Sequence, residues 1–277
     1  MIDSHQHFWN YNEERDAWIT PEMSILRNDY YPTYSEPIFR NLGFTGCVAV
    51  QADSSEEETL FLLALAEQNE FIQGVVGWVD LQSENIEDRL AYFTQFEAIK
   101  GFRHIVQGEK DPTFLQRKEF IKGVKTLTSF DLSYDLLIYP HQMASAITFC
   151  ETCDDQRIVL DHLAKAPLKT GDISGWKKQI QSFKNLENVS AKISGIVTEA
   201  ADKHWNQNQV NEIVDIALEV FGPKRLLIGS DYPVLLVNST LELWVMTFQE
   251  ALKGLSPIEK EEIYHLNARQ FYQLETI

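Results

Sequence analysis

Two imidazoles one residue apart, His5 and His7, end the first apolar run of the chain. Along an extended strand residues i and i+2 face the same side, so both rings can grip one metal ion or one substrate oxygen. Asp231 follows Leu226-Leu227-Ile228-Gly229-Ser230 near the far end of the chain, and His162 follows Leu160-Asp161 in between. A carboxylate among imidazoles suits proton transfer to and from water, with a neighbouring ring to orient the water or hold a developing oxyanion. Each signal taken alone has an ordinary explanation. A histidine pair can arise where a strand is capped, an aspartate before Pro233 can cap a turn, and His162 can be a core histidine. Together they reinforce one another if the first and last strands are neighbours, because each then predicts where the other must lie.

The elements that would bring them together are legible as eight β-rich runs: Met1–His5, Phe44–Gln51, Gly74–Asp80, Ile99–His104, Tyr134–Tyr139, Arg157–Asp161, Val189–Ser194 and Arg225–Gly229. Several are nearly continuous in Val, Ile and Leu, as strands covered on both faces should be. Between them lie helical patterns, among them Glu56–Glu70, Glu84–Phe96, Thr113–Ser129 and Asn206–Phe221, the last ended by Gly222-Pro223. Eight β-then-α units predict a closed (β/α)8 TIM barrel. An open doubly wound sheet would want a glycine-rich phosphate loop after the first strand, and none follows. With no linker in 277 residues, 1–277 reads as a single domain, with an aromatic-rich loop 8–34 over the barrel mouth. In such barrels chemistry sits at the C-terminal ends of the strands. His5, His7, His104, His141 and His162 all fall at or just beyond such an end; His204 and His265 do not.

At these ends the sequence resembles a known family. Ile2-Asp3-Ser4-His5-Gln6-His7-Phe8-Trp9, Lys100-Gly101-Phe102-Arg103-His104, Leu160-Asp161-His162-Leu163, Lys192-Ile193-Ser194-Gly195 and Gly229-Ser230-Asp231-Tyr232-Pro233 are similar to motifs of the lactonase branch of the amidohydrolases. That branch includes L-fuconolactonase, L-rhamnonolactonase and the 2-pyrone-4,6-dicarboxylate lactonase. The resemblance runs from residue 1 to about 270 and implies hydrolysis of a lactone. Asp231 would take a proton from the attacking water and return it to the departing ring oxygen. His162 would orient that water or stabilise the oxyanion, and His5 and His7 would polarise the carbonyl directly or through a metal. Metal-dependent relatives usually carry a histidine at the end of the fifth strand, often before a proline. Here Tyr139 precedes Pro140 and the histidine comes later, as His141. Two alternatives therefore stand: no required cofactor, or one divalent ion (zinc by ligand type) on His5, His7 and Asp231.

For the substrate, Trp9, Arg103, His104, Tyr139, His141 and Lys192 are the candidate binding residues. A dicarboxylate would want several arginines at the mouth. Arg157 and Arg225 begin their strands, Arg15 and Arg27 could reach in only from the first loop, and Arg103 alone is securely placed. The net charge of −17 gives no help to an anion either. Aromatics of the 8–34 loop (Phe8, Trp9, Tyr11, Trp18, Tyr30 and Tyr31) suit the C–H faces of a sugar, unless they simply plug the barrel top. A sugar-derived aldonolactone, a small neutral partner, is the expected substrate. The alternatives are a dicarboxylate lactone, a decarboxylase of the same superfamily, which should keep a fuller metal site, and a barrel that binds a sugar acid without catalysis, which should lack Asp231 or His162. The charge and the lack of a basic stripe argue against nucleic acid. No apolar run is long enough to span a membrane and no signal peptide precedes Ile2, so a cytoplasmic monomer or homodimer is expected. Cys150 and Cys153 sit near a helix end, where no helix N-terminus stabilises a thiolate, and redox use is not expected.

Overall fold

The computed structural model describes residues 1–201 and 205–275, so His204 lies outside the described residues. Eight parallel strands follow one another: β1 (Ile2–Gln6), β2 (Gly46–Val50), β3 (Ile72–Gly77), β4 (Ile99–His104), β5 (Ser133–Leu136), β6 (Ile158–Leu160), β7 (Val189–Ile193) and β8 (Leu226–Ile228). Each pairs with its neighbour in chain order. The ring closes where Asp231 N donates to the His5 carbonyl (2.9 Å) and His7 N to the Tyr232 carbonyl (2.7 Å). Ser4 Oγ adds a bond to the Ile228 carbonyl at 2.7 Å. This is the expected (β/α)8 barrel.

Around it run α1 (Pro32–Asn41), α2 (Glu56–Gln68), α3 (Ile86–Phe93), α4 (Lys118–Ser129), α5 (Met143–Thr152), α6 (Ser174–Ile180), α7 (Gln207–Phe221) and α8 (Leu241–Ala251), followed by α9 (Pro257–Glu261) and α10 (Asn267–Tyr272). Asn206 caps α7 in a reciprocal box with Gln209, and Gly222, at φ +66°, lets the chain leave. One set of strand side chains, among them Phe102, Tyr134, Leu160 and Ile193, packs outward under the helices. The other set fills the barrel. There Ile2, Val48, Val76, Val159 and Leu227 meet Phe271, Tyr272 and Leu274 in and beyond α10, which plugs the barrel interior.

Two strands end three residues earlier than in the sequence reading, and every other strand end lies within two residues of it. The third strand starts at Ile72 and ends at Gly77, because Trp78 N turns aside to Thr59 Oγ1 on α2 (2.8 Å). The fifth ends at Leu136 rather than Tyr139, whose place is at the head of a 3-10 turn over Pro140–Gln142. In β1 the pairing register shifts between Asp3 and Gln6. Ile2 belongs to the barrel filling, and strict alternation from it would turn His5 outward. The irregularity re-aims His5 and His7 inward, the usual effect of a bulge beside a site.

Loop 8–34 packs at the same end as His7. Trp9 and Tyr30 exchange backbone hydrogen bonds at 3.1 and 2.8 Å. Trp9, Ile19 and Leu26 form a small apolar cluster against Ala52, Val234 and Val237, which follow β2 and β8. Among the described residues no helix is long and apolar enough to cross a membrane. All three cysteines are buried and unbridged.

Candidate active site

A buried layer of charge lies beneath the mouth. Lys192, from β7, is fully buried, with its Nζ 2.5 Å from Asp135 Oδ2, 2.9 Å from Asp161 Oδ1 and 3.0 Å from His5 Nδ1. Tyr272 of α10 donates its hydroxyl to Asp135 Oδ2 at 2.8 Å. Arg103, from β4, donates to Asp161 Oδ2 at 2.9 Å and to Gln51, and its Nη1 lies 3.3 Å from His5 Nε2. Burial pushes the Asp161 carboxyl up, but Lys192, His5 and Arg103 outweigh it and hold the group well below the carboxylate range. Asp161 Oδ1 is also 3.3 Å from His5 Nδ1. With Asp161 and Lys192 at its Nδ1, the His5 ring is held with Nε2 toward the mouth.

The four expected residues converge on this layer. His7 Nδ1 donates to the Val50 carbonyl at 2.7 Å, which aims its Nε2 into the mouth. The two Nε2 atoms stand 3.2 Å apart. Asp231 Oδ1 is 3.4 Å from His7 Nε2, 3.9 Å from His5 Nε2 and 3.8 Å from His162 Nε2. Asp231 itself is turned into the mouth by a left-handed backbone, φ +60°. Burial pushes its carboxyl up, but His162, His7 and Lys165 overcome this, and the group lies below its ordinary value of 3.8. Desolvation lowers His162 to about 4, so its ring is neutral near pH 7, with Nδ1 2.9 Å from Ser194 Oγ.

Two ring nitrogens and a carboxylate oxygen facing one another are a donor set suited to a divalent cation. Ligands of a tetrahedral zinc, at about 2.0–2.1 Å from the ion, stand about 3.3–3.5 Å apart. The triangle formed by His5, His7 and Asp231, with edges of 3.2, 3.4 and 3.9 Å, fits one. His162 is also close enough to join His5 and Asp231 as a ligand.

Of the candidate binding residues, Tyr139 alone is left half-exposed at the mouth, with the Lys165 ammonium 5.2 Å from its ring centroid. His141 is exposed and stacks beside Tyr139, centroids 6.1 Å apart. Trp9 is 2% exposed and gives its indole N–H to the Asn28 carbonyl, leaving a ring tilted toward His7 at 6.3 Å. Three expectations are corrected. Lys192 lies under His5, saturated by carboxylates, and supports the site from below. Arg103 is likewise locked to Asp161 and Gln51. His104 points to the opposite side of β4, stacked on Phe114 and paired with Glu109 at 2.7 Å. Nor do Arg15 and Arg27 reach in: Arg15 pairs with Asp16 and Arg27 bonds the Ile19 carbonyl. Asp161, Asp135, Gln51 and Lys165 were not anticipated, although Asp161 stands beside His162 in the chain. A surface groove of about 790 Å³ lined by Leu60, Leu63, Ala66, Phe96 and Lys100 lies by the starts of β3 and β4, away from this chemistry.

Gly195, at φ +61°, closes over His162: a Cβ there would stand 2.5 Å from His162 Nδ1 and 2.6 Å from its Cγ. Gly195→Ala should therefore displace the imidazole and lower turnover at least tenfold with little change in the far-UV spectrum. Full activity in that variant would mean that the position of His162 is not critical.

The sequence profile of the amidohydrolase family matches residues 2–274. An L-fucono-1,5-lactonase of Burkholderia multivorans (strain ATCC 17616 / 249) is 34% identical over 99% of this chain and 96% of its own length. A second L-fucono-1,5-lactonase, from Burkholderia ambifaria, is 28% identical over the same shares. The crystal structure of an amidohydrolase from Burkholderia multivorans with bound zinc superposes with a TM-score of 0.96, at 34% identity and 99% coverage of both chains.

Proposed function

Since the chain belongs to the amidohydrolase family, we propose that it hydrolyses a neutral, sugar-derived lactone to the open sugar acid. The observation that carries this reading is the convergence of three imidazoles on the single oxygen Oδ1 of Asp231, at 3.4–3.9 Å. That carboxylate is the group placed to take a proton. Asp231 removes the proton from a water lying between it and His162 as the water oxygen bonds to the lactone carbonyl carbon. The neutral His162 ring donates toward the oxyanion, and the proton passes from Asp231 to the ring oxygen as the carbon–oxygen bond breaks. His5, His7 and Asp231 are the residues that would hold a divalent ion, which when bound supplies Lewis acidity at the carbonyl.

The neutral substrate follows from the arginines. Arg103 is locked to Asp161 and Gln51 and Arg15 is paired with Asp16, so neither is free to pair with a substrate carboxylate, and Arg27 is turned to the Ile19 carbonyl. The relatives named as L-fucono-1,5-lactonases support a six-carbon sugar lactone as substrate.

A panel of aldono-1,5- and 1,4-lactones, read by acid release with a pH indicator, tests the reading. At least one neutral aldonolactone should turn over faster than a dicarboxylate lactone; hydrolysis of none would overturn it. The same assay after dialysis against a chelator addresses the metal. Zinc added back should bind at about one equivalent, and His7→Ala should abolish that binding. With Tyr139 in place of a fifth-strand histidine, turnover is expected to persist in the chelated protein. Loss that zinc alone restores would make the ion obligatory.

A further inference from the structure

His162, Leu163, Ala164 and Lys165 form a run of four successive non-glycine residues in the left-handed region, at φ +54°, +51°, +54° and +54°. Left-handed backbone is costly for an L-residue, and strain of this kind persists where the surrounding structure requires it. The run is a single turn closed by Lys165 N donating to the His162 carbonyl at 2.8 Å. In a turn of three residues, side chains i and i+3 lie one above the other. Lys165 is thereby placed on the same side as His162, and its charge and that of Asp231 act on each other.

The Lys165 side chain is only 15% exposed, and its Nζ lies 3.1 Å from Glu199 Oε1. The same ammonium sits 5.2 Å from the centroid of the Tyr139 ring. Glu199 is its one ion-pair partner among the described residues, and an ammonium has three N–H donors. The pair offers donors and acceptors at one spot and carries no net charge. A hydroxyl group, which both donates and accepts, matches it; a carboxylate would meet Glu199 as well as Lys165. The aromatic face of Tyr139 completes the surface that a sugar ring presents C–H groups to.

We propose that Lys165, Glu199 and Tyr139 form the subsite that reads the hydroxyl groups of the lactone, with Lys165 the residue that discriminates a polyhydroxylated ring from a bare one. This rests on the lactonase reading above and adds to it the residues that select the substrate. A site built to bond a hydroxyl rejects an analogue lacking it, because its own buried polar groups are then left unpaired.

The test compares the wild type with Lys165→Met and Glu199→Gln on two substrates, a six-carbon aldono-1,5-lactone and δ-valerolactone, which has the same ring and no hydroxyls. The ratio of kcat/KM for the hydroxylated over the bare lactone should fall about 100-fold in Lys165→Met, mostly through KM, and less in Glu199→Gln. An unchanged ratio, even with both activities lowered together, would overturn the proposal. Calorimetric titration with the 1,5-lactam of the same sugar reads the subsite without turnover. Binding that weakens at least tenfold in Lys165→Met supports the subsite even if no lactone is hydrolysed, in which case the lactonase reading alone fails. A lactam that does not bind the wild type, or that binds both proteins equally, overturns the subsite.

Discussion

Asp231→Asn should lower kcat by ~10²–10⁴-fold, the contribution of a positioned acid–base group, while leaving KM within a small factor. The amide keeps the shape and the left-handed turn that aims it, since asparagine tolerates that conformation as well as aspartate does. What it loses is the acceptor for the water proton. The wild-type profile should show the same group: the carboxyl lies below its ordinary 3.8, held there against burial by His162, His7 and Lys165. The base is then ionised throughout the neutral range, and activity should fall on the acid side only as pH drops past the ordinary carboxylate value. A variant with more than about a tenth of wild-type kcat, well above what loss of a base permits, would show that another group activates water, and His162 would be the next to test.

Lys192→Met should be the most damaging change to stability. The substitution preserves much of the side-chain volume but leaves Asp135 without its 2.5 Å partner and Asp161 with only Arg103 and His5. Removing one member of a buried charge cluster costs roughly 3–5 kcal/mol, which for a domain of this size lowers the melting temperature by on the order of 10 °C. Because the loss comes from an uncompensated charge, Lys192→Met with Asp135→Asn should recover part of it. A double-mutant cycle on urea midpoints measures the coupling. A single variant within about 1 kcal/mol of wild type, the ordinary range for a substitution away from such a cluster, would mean that the ammonium does not neutralise these carboxylates.

The strands were readable because parallel strands covered on both faces are written as unbroken apolar runs, and the barrel followed from counting them. His5, His7, His162 and Asp231 were readable because strand ends concentrate chemistry, and the structure brings them together. Depth was harder to read. Lys192 and Ser194 share a face of their run, yet the ammonium is two residues lower and is consumed by Asp135 and Asp161. Arg103 and His104 are adjacent, so alternation sends them to opposite sides of the sheet, a signal present in the sequence but outweighed by the strand-end rule. The irregularity in β1 left no mark among its residues, since the aspartate that organises it, Asp3, bonds to Ser230 at the other end of the chain. Lys165 was hidden for a related reason: nothing in His162-Leu163-Ala164-Lys165 announces a left-handed turn.

That closure between β1 and β8 also has a meaning in time. Asp3 receives the Ser230 amide at 2.8 Å, and Ser4 reaches the Ile228 carbonyl across 224 positions of chain. The histidine pair and its carboxylate are thus among the first and last parts of the barrel to leave the ribosome. Joining them closes a loop of more than 220 residues, and contacts of such separation form late. Throughout most of its synthesis the nascent protein carries the two imidazoles without Asp231. On the reading proposed above, hydrolytic competence waits for the final strand to dock.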